Sequence, residues 1–160
     1  MALSAIRTMH AKDVISAKLA SAYVSVKGER FLLFQAKKLE AKLEKKKEEV
    51  AILGRMAKGH KATSVNGTGN MTIYKNTPLF DRMLLEFKST GKDTYFDLQI
   101  TNEDPTSEAG RQVTILKDCN IDSGIIAAFD ADGEWLEQDV DFTFEDVEQP
   151  TQFKMLDGMQ

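Results

Sequence analysis

Alternation of apolar and polar residues at period two recurs along most of this chain, and it confines the chain to a mainly β fold. Ala22, Val24 and Val26 alternate with Tyr23 and Ser25, Lys27-Gly28-Glu29-Arg30 reads as a turn, and Phe31 to Gln35 resumes an apolar β-type run. That order predicts a hairpin. Met71 and Ile73, flanked by Thr72 and Tyr74, predict another strand, as do Tyr95 to Thr101, Gln112 to Lys117, Ile121 to Asp130 and Val140 to Glu145. A polar loop is expected around Pro105 and Gly110, and Pro150 with the tail Thr151 to Gln160 reads as a terminal extension.

One segment has helical period instead. Thr77 is suited to cap a helix whose first position is Pro78, because a proline there loses no hydrogen bond. Phe80, Met83, Leu84 and Phe87 then fall on one stripe and Gly91 supplies the stop, so a helix over Pro78 to Thr90 is expected to bury all four.

Ala36 to Leu53 satisfies two periods at once. Ala36, Leu39, Leu43 and Val50 would share a helical face, and the composition favours helix. Leu39, Ala41 and Leu43 also alternate, and no cap or turn residue separates the segment from the strand before it. It is read as a long strand. Gly54 to Gly69, with glycines at 54, 59, 67 and 69, is read as a long loop, mobile until something orders it.

Charge divides along the chain. Residues 1–75 carry 15 Lys/Arg against 6 Asp/Glu, a net of +9, whereas residues 76–160 carry 6 against 19, a net of −13. Unlike patches on identical copies favour head-to-tail contacts, which close into rings or grow into filaments. If the halves interleave in the fold, the charges mix instead.

Most function classes find no support. At 160 residues, 42% hydrophobic and 29% charged, the chain suits one domain with a real core. The longest apolar runs, as in Gly124 to Phe129, are about five residues against the roughly 20 that span a bilayer. Met1 to Leu19 is interrupted by Arg7, Lys12, Asp13 and Lys18, unlike the core of a secretory signal, so synthesis in a cytoplasm is expected. Cys119 is the single cysteine and is expected in the core.

The stretch Gly54 to Lys61 has the glycine spacing of a phosphate-binding loop, but His60 stands where that loop needs Lys, and Lys61 is followed by Ala62 rather than Ser or Thr. Aligning Gly133 with the calcium-loop glycine puts Ala128 at the first ligand position and Asp139 at the last. With two histidines, His10 and His60, and no nucleophile elbow, no catalytic residue, cofactor or metal ligand is assigned and no enzyme is expected. Lys45-Lys46-Lys47 lacks interleaved aromatics for base stacking and reads as a guarded strand edge.

The order of these features resembles a known family. The hairpin at Lys27-Gly28, the stretch Phe34-Gln35-Ala36-Lys37-Lys38-Leu39-Glu40-Ala41-Lys42-Leu43-Glu44, Gly54-Arg55-Met56, Gly67-Thr68-Gly69 leading into Thr72-Ile73-Tyr74, the capped helix and Asp141-Phe142-Thr143-Phe144-Glu145-Asp146 follow in sequence. Together they resemble the tail tube proteins of contractile phages, phage-like bacteriocins and defective prophages, over residues 12–150.

The resemblance implies a mainly β subunit, a β-sandwich or partial barrel with one flanking α-helix, whose inner strands form an intersubunit β-barrel in a hexameric ring. Rings stacked into a hollow tube would make the subunit a structural virion protein, a conduit for DNA ejection or membrane puncture. Implied partners are further copies of the chain, a tail sheath, and baseplate or tail-terminator proteins, with DNA only as transient cargo, no membrane anchor and no cofactor. The location implied is the virion tail, after synthesis in the bacterial host cytoplasm.

On this reading residues 1–20 form an N-terminal arm, 21–150 the tail tube β domain and 151–160 a C-terminal extension. Assembly is expected to use Leu39, Ala41 and Leu43 on the long strand and the basic loop residues Arg55, Lys58, His60 and Lys61, which would meet the acidic half of a neighbour. The competing class is a monomeric β-barrel that binds a small ligand.

Overall fold

In the computed structural model, which describes residues 6–33 and 35–159, the first reversal is a tight turn. Lys27 (φ 50°) and Gly28 (φ 83°) both take positive φ, as the two-residue turns that match strand twist require. They join β1 (Ala20–Val26) to β2 (Glu29–Leu32), with Val26 opposite Glu29. Phe34, the next apolar residue of the predicted run, lies outside the described residues.

Seven further elements follow: β3 (Ala36–Val50), β4 (Gly59–Tyr74), α1 (Leu79–Thr90), β5 (Phe96–Glu103), β6 (Arg111–Gly124), β7 (Glu137–Phe144) and β8 (Asp146–Thr151). All strand pairs are antiparallel, in the order β2-β1-β5-β6-β7-β4-β3, with β8 also on β6. The mainly β fold with one helix is as expected. The sheet is open, not closed on itself.

β6 belongs to two sheets. Its first half pairs with β5 and β8, and from Asn120 on it pairs with β7. The change occurs at Asp118, which takes φ 53° in a bulge, its N–H donating to Asp97 Oδ1 at 3.2 Å. A bulge bends and twists its strand, and here it folds one sheet over the other. Between them lie Val24, Leu98, Leu116, Met71, Ile73, Val140 and Phe142, all essentially inaccessible to solvent. Phe80 of α1 caps this core edge-on to Phe96, ring centroids 6.2 Å apart, worth about 1 kcal/mol beyond the area buried.

The charge halves interleave, but in an ordered way. β5, β6 and β7 from the acidic half occupy the centre of the strand order, while β1 and β2 flank one side and β3 and β4 the other. The linear division becomes a division between centre and edges.

Four expectations change. Residues 59–69 are not loop: they continue β4, because Gly59 to Asn66 find a complete antiparallel partner in Val50 to Glu44. Gln112 to Lys117 and Ile121 onward are one bulged strand, which ends at Gly124, so the strand predicted to run to Asp130 gives way to a loop of residues 125–136. β8 was not predicted, and only its last two residues, Pro150 and Thr151, fall in the expected extension; Glu148 and Val147 pair with Ile115 and Leu116.

On α1, Phe80 and Met83 are buried and Leu84 packs on the core, but Phe87 is 53% exposed. The last stripe residue of the helix is therefore only half covered. The helix also begins one residue later than predicted, at Leu79, with Thr77 Oγ1 accepting from the Leu79 N–H at 3.4 Å.

Candidate assembly surface

β3 pairs with β4 from Ala36 opposite Ile73 to Val50 opposite Gly59, but β4 pairs with β7 only over Gly67–Tyr74. The hairpin therefore projects about 25 Å beyond the sheet at ~3.3 Å per residue. None of its projecting side chains, from Glu44 to Asn66, is buried. The outer edge of β3 has no strand partner among the described residues. A 15-residue strand left open is an invitation to pair with another chain.

Register sorts the faces. Leu39, Ala41 and Leu43 sit opposite Met71, Gly69 and Gly67, on the face that carries the core. Leu39 packs against that core, whereas Ala41 and Leu43 are exposed, Leu43 at 56%. The other face reads Lys38, Glu40, Lys42 and Glu44 on β3, Thr72, Asn70, Thr68 and Asn66 on β4, and Asp139, Asp141 and Thr143 on β7. This second face is wholly polar and internally bonded: Asn70 Nδ2 donates to Asp141 Oδ1 at 2.6 Å, and Thr72 Oγ1 to Asp139 Oδ1 at 2.7 Å. The Lys37 and Lys42 ammonium groups, hydrogen-bonded to Glu137 and Glu44 at 2.8 Å, have pKa values raised by those partners.

The four basic residues expected in one loop are split. Arg55 and Lys58 lie in the turn, where Arg55 N–H donates to Ile52 O and Gly54 takes φ 83°. His60 and Lys61 lie on β4 opposite Glu49 and Glu48 and point to opposite faces. Lys58 reaches Glu49 at 3.4 Å. The sequence reading missed the apolar side chains beside them: Leu53 and Met56, at the tip, are fully exposed. A large apolar residue on each side of Gly54-Arg55, where a turn is expected to meet solvent, was the available signal.

At the opposite end of β4, Tyr74 pairs with Glu137, where the 125–136 loop ends. Lys75 pins that loop: its N–H donates to Leu136 O at 2.9 Å and its Nζ to Ile125 O at 2.7 Å, while Nζ also pairs with Asp81 at 3.0 Å. Between the pins, Phe129 is 95% and Trp135 70% exposed.

Two clefts flank the hairpin base, one of about 470 Å³ lined by Glu40, Lys42, Asn70, Asp122 and Asp141, the other of about 960 Å³ lined by Ala22, Leu33, Leu39 and Ile100 among others. Neither brings together a nucleophile, a base and an orienting group. Among the described residues no cluster of His, Cys, Asp and Glu is arranged to hold a metal ion, and no helix is long and apolar enough to cross a membrane.

A family model described as phage tail tube protein matches residues 7–151. The chain is 46% identical over 114 residues to the phage-like element PBSX protein XkdM of Bacillus subtilis strain 168, a match covering 71% of this chain and 78% of that one. Its fold is similar to that in the solved SPP1 tail tube (TM-score 0.61, 10% identity, 89% of this chain and 81% of the other). It is also similar to a chain in the sheath-tube complex of an extracellular contractile injection system (TM-score 0.59, 13% identity, 80% and 86%).

Proposed function

The chain belongs to the phage tail tube protein family, and we propose that six copies close into a ring through the open edges of the sheet β6-β7-β4-β3, and that rings stack into the hollow inner tube of a phage or phage-like tail. The observation that carries this reading is the 15-residue β3 edge, which no strand among the described residues pairs, beside a wholly polar face. Closing a sheet between subunits removes the exposed edges.

The two edges of this sheet differ in charge, which suits head-to-tail closure. β3 carries six Lys against four Glu, whereas the end of β6 from Asp118 to Gly124 carries two Asp and no Lys or Arg. A ring joining β3 of one copy to the end of β6 in the next sets unlike edges together.

The polar face with Glu40, Asp139 and Asp141 then lines the channel, since the opposite face is occupied by the core and α1. Carboxylates there repel DNA phosphates, so DNA passes as transient cargo and is not held. Leu39, Ala41 and Leu43 continue the core face across the subunit boundary. Sheath, baseplate and tail-terminator proteins are the further partners this reading assigns to the outside and ends of the tube, and a solved relative in fold comes from a sheath-tube complex. Residues 1–20 act as an arm and 151–160 as an extension on the 21–150 domain, made in the host cytoplasm.

Electron microscopy of the purified, concentrated protein, with sizing across salt concentrations, tests the reading. Rings or hollow tubes with a central channel are expected. A species that stays monomeric at every salt and protein concentration, even beside tail-initiating components, overturns it.

A further inference from the structure

The tip of the β3–β4 hairpin and the 125–136 loop lie at opposite ends of β4, 15 residue steps apart from Gly59 to Tyr74, or about 50 Å along the strand. They are complementary in two independent respects. Residues 45–61 hold six Lys/Arg against two Glu, a net of +4, and residues 125–137 hold four Asp/Glu and no Lys or Arg. Each end also exposes large apolar side chains with nothing over them, Leu53 and Met56 at the tip, Phe129 and Trp135 in the loop.

We propose that the hairpin tip of one subunit docks on the 125–136 loop of a subunit in the next ring, Leu53 and Met56 packing against Phe129 and Trp135 while Arg55 and Lys58 face Asp132 and Glu134. The occupant is a second copy because both halves of the match are on this chain, at the two ends of one strand, so translation along the tube repeats the contact without limit. The loop is built to receive a load, since Lys75 fixes both of its ends. Asp130 shapes its turn by accepting from the Asp132 N–H at 3.0 Å. The proposal rests on the tail tube reading and adds to it which surfaces join ring to ring.

Trp135 is the only tryptophan, so its emission and its quenching by acrylamide report directly on the contact. In parent tubes Trp135 is expected to be blue-shifted and several-fold less quenched than in dissociated subunits. Two variants carry the test further, D132K/E134K and R55E/K58E, all at exposed positions. Each is expected to yield folded subunits or single rings with at least tenfold less pelletable tube. The four-site combination, complementary again with signs exchanged, is expected to restore tubes.

Tubes from either two-site variant at the parent's yield, no recovery in the combination, or a Trp135 as accessible in tubes as in subunits overturns the docking while leaving the tail tube reading standing. A parent that never assembles overturns both.

Discussion

Phe142 fills the space above Gly69: the two are register partners on β7 and β4, and a Cβ added at Gly69 would meet the ring, with Cε2 only 2.6 Å away. Gly67 stands in the same relation to Phe144, at 2.5 Å from Cε2. Glycine normally weakens a strand, but here an aromatic ring on the neighbour covers the bare backbone. Both rings are buried, so neither can swing aside. Gly69→Ala is expected to cost about 1 to 3 kcal/mol in denaturant unfolding of the subunit, the range for overpacking. The sign decides, because an unstrained Gly→Ala change would stabilise by about 0.4 to 1 kcal/mol.

The helix stripe separates into two energies. Phe80, inaccessible and edge-on to Phe96, should cost about 3 to 5 kcal/mol when cut to alanine. Phe87, half exposed, should cost under about 1 kcal/mol in the isolated subunit. Urea unfolding of the two single variants checks the contrast, and equal losses would mean that both rings share one packed site.

Alternation and turn chemistry were readable because they are local: Lys27-Gly28 turns where its residues permit positive φ, and Gly91 ends α1 in the left-handed region at φ 74°. Ala36–Val50 was ambiguous from its own composition, and the alternation of Leu39, Ala41 and Leu43 with no cap before the segment tipped it to strand. What stayed hidden depends on distant partners. Gly59 to Asn66 is strand because Glu44 to Val50 lies beside it, which no count of glycines reveals. The break at Gly124 and the strand at Asp146–Thr151 follow from where β6 finds β7 and β8. The basic assembly residues were visible as charges, but their division between a turn and two strand faces required the register.

Lys75 ties four pieces of chain together. Its ammonium group pairs with Asp81 on α1 and donates to Ile125 O, while Gln138 Nε2 donates to the same carboxylate at 3.3 Å and the same carbonyl at 3.1 Å. Replacing Lys75 by Met leaves the Asp81 charge largely enclosed without its cation and is expected to cost about 3 kcal/mol. Hydrogen exchange should rise first in residues 125–136, the loop Lys75 holds. Protection unchanged there would show that the loop is fixed by other contacts.

Cys119 should be inert. Burial, with Asp97 nearby, pushes its thiol pKa up from 9.0 to about 12, and Sγ lies 3.6 Å from Leu116 O. Since thiol reagents attack the thiolate, modification at pH 8 should wait for unfolding, becoming rapid only in denaturant. The sign of the linkage follows: the folded state favours the neutral thiol, so this contribution to stability is complete below pH 9 and declines between pH 9 and 12. Labelling of the native subunit as fast as of a denatured control would place Cys119 outside the core.

The projecting hairpin offers the sharpest separation of folding from assembly. Residues 44–66 bury no side chain and pair only with one another, whereas Leu43 and Gly67 mark the level at which β4 joins β7. Replacing 44–66 by Asn-Gly, a two-residue turn suited to closing adjacent strands, keeps every core contact and shortens the unfolded chain. The shortened subunit is expected to stay soluble and cooperative, with a thermal midpoint within a few degrees of the parent, because no apolar burial is lost. It should also fail to form tubes at any concentration, having lost the tip and a large part of the open β3 edge. Sizing and electron microscopy on the same preparation read both outcomes: tubes from the shortened chain would remove the hairpin from assembly, and an unfolded product would show that its pairing stabilises the sheet from outside.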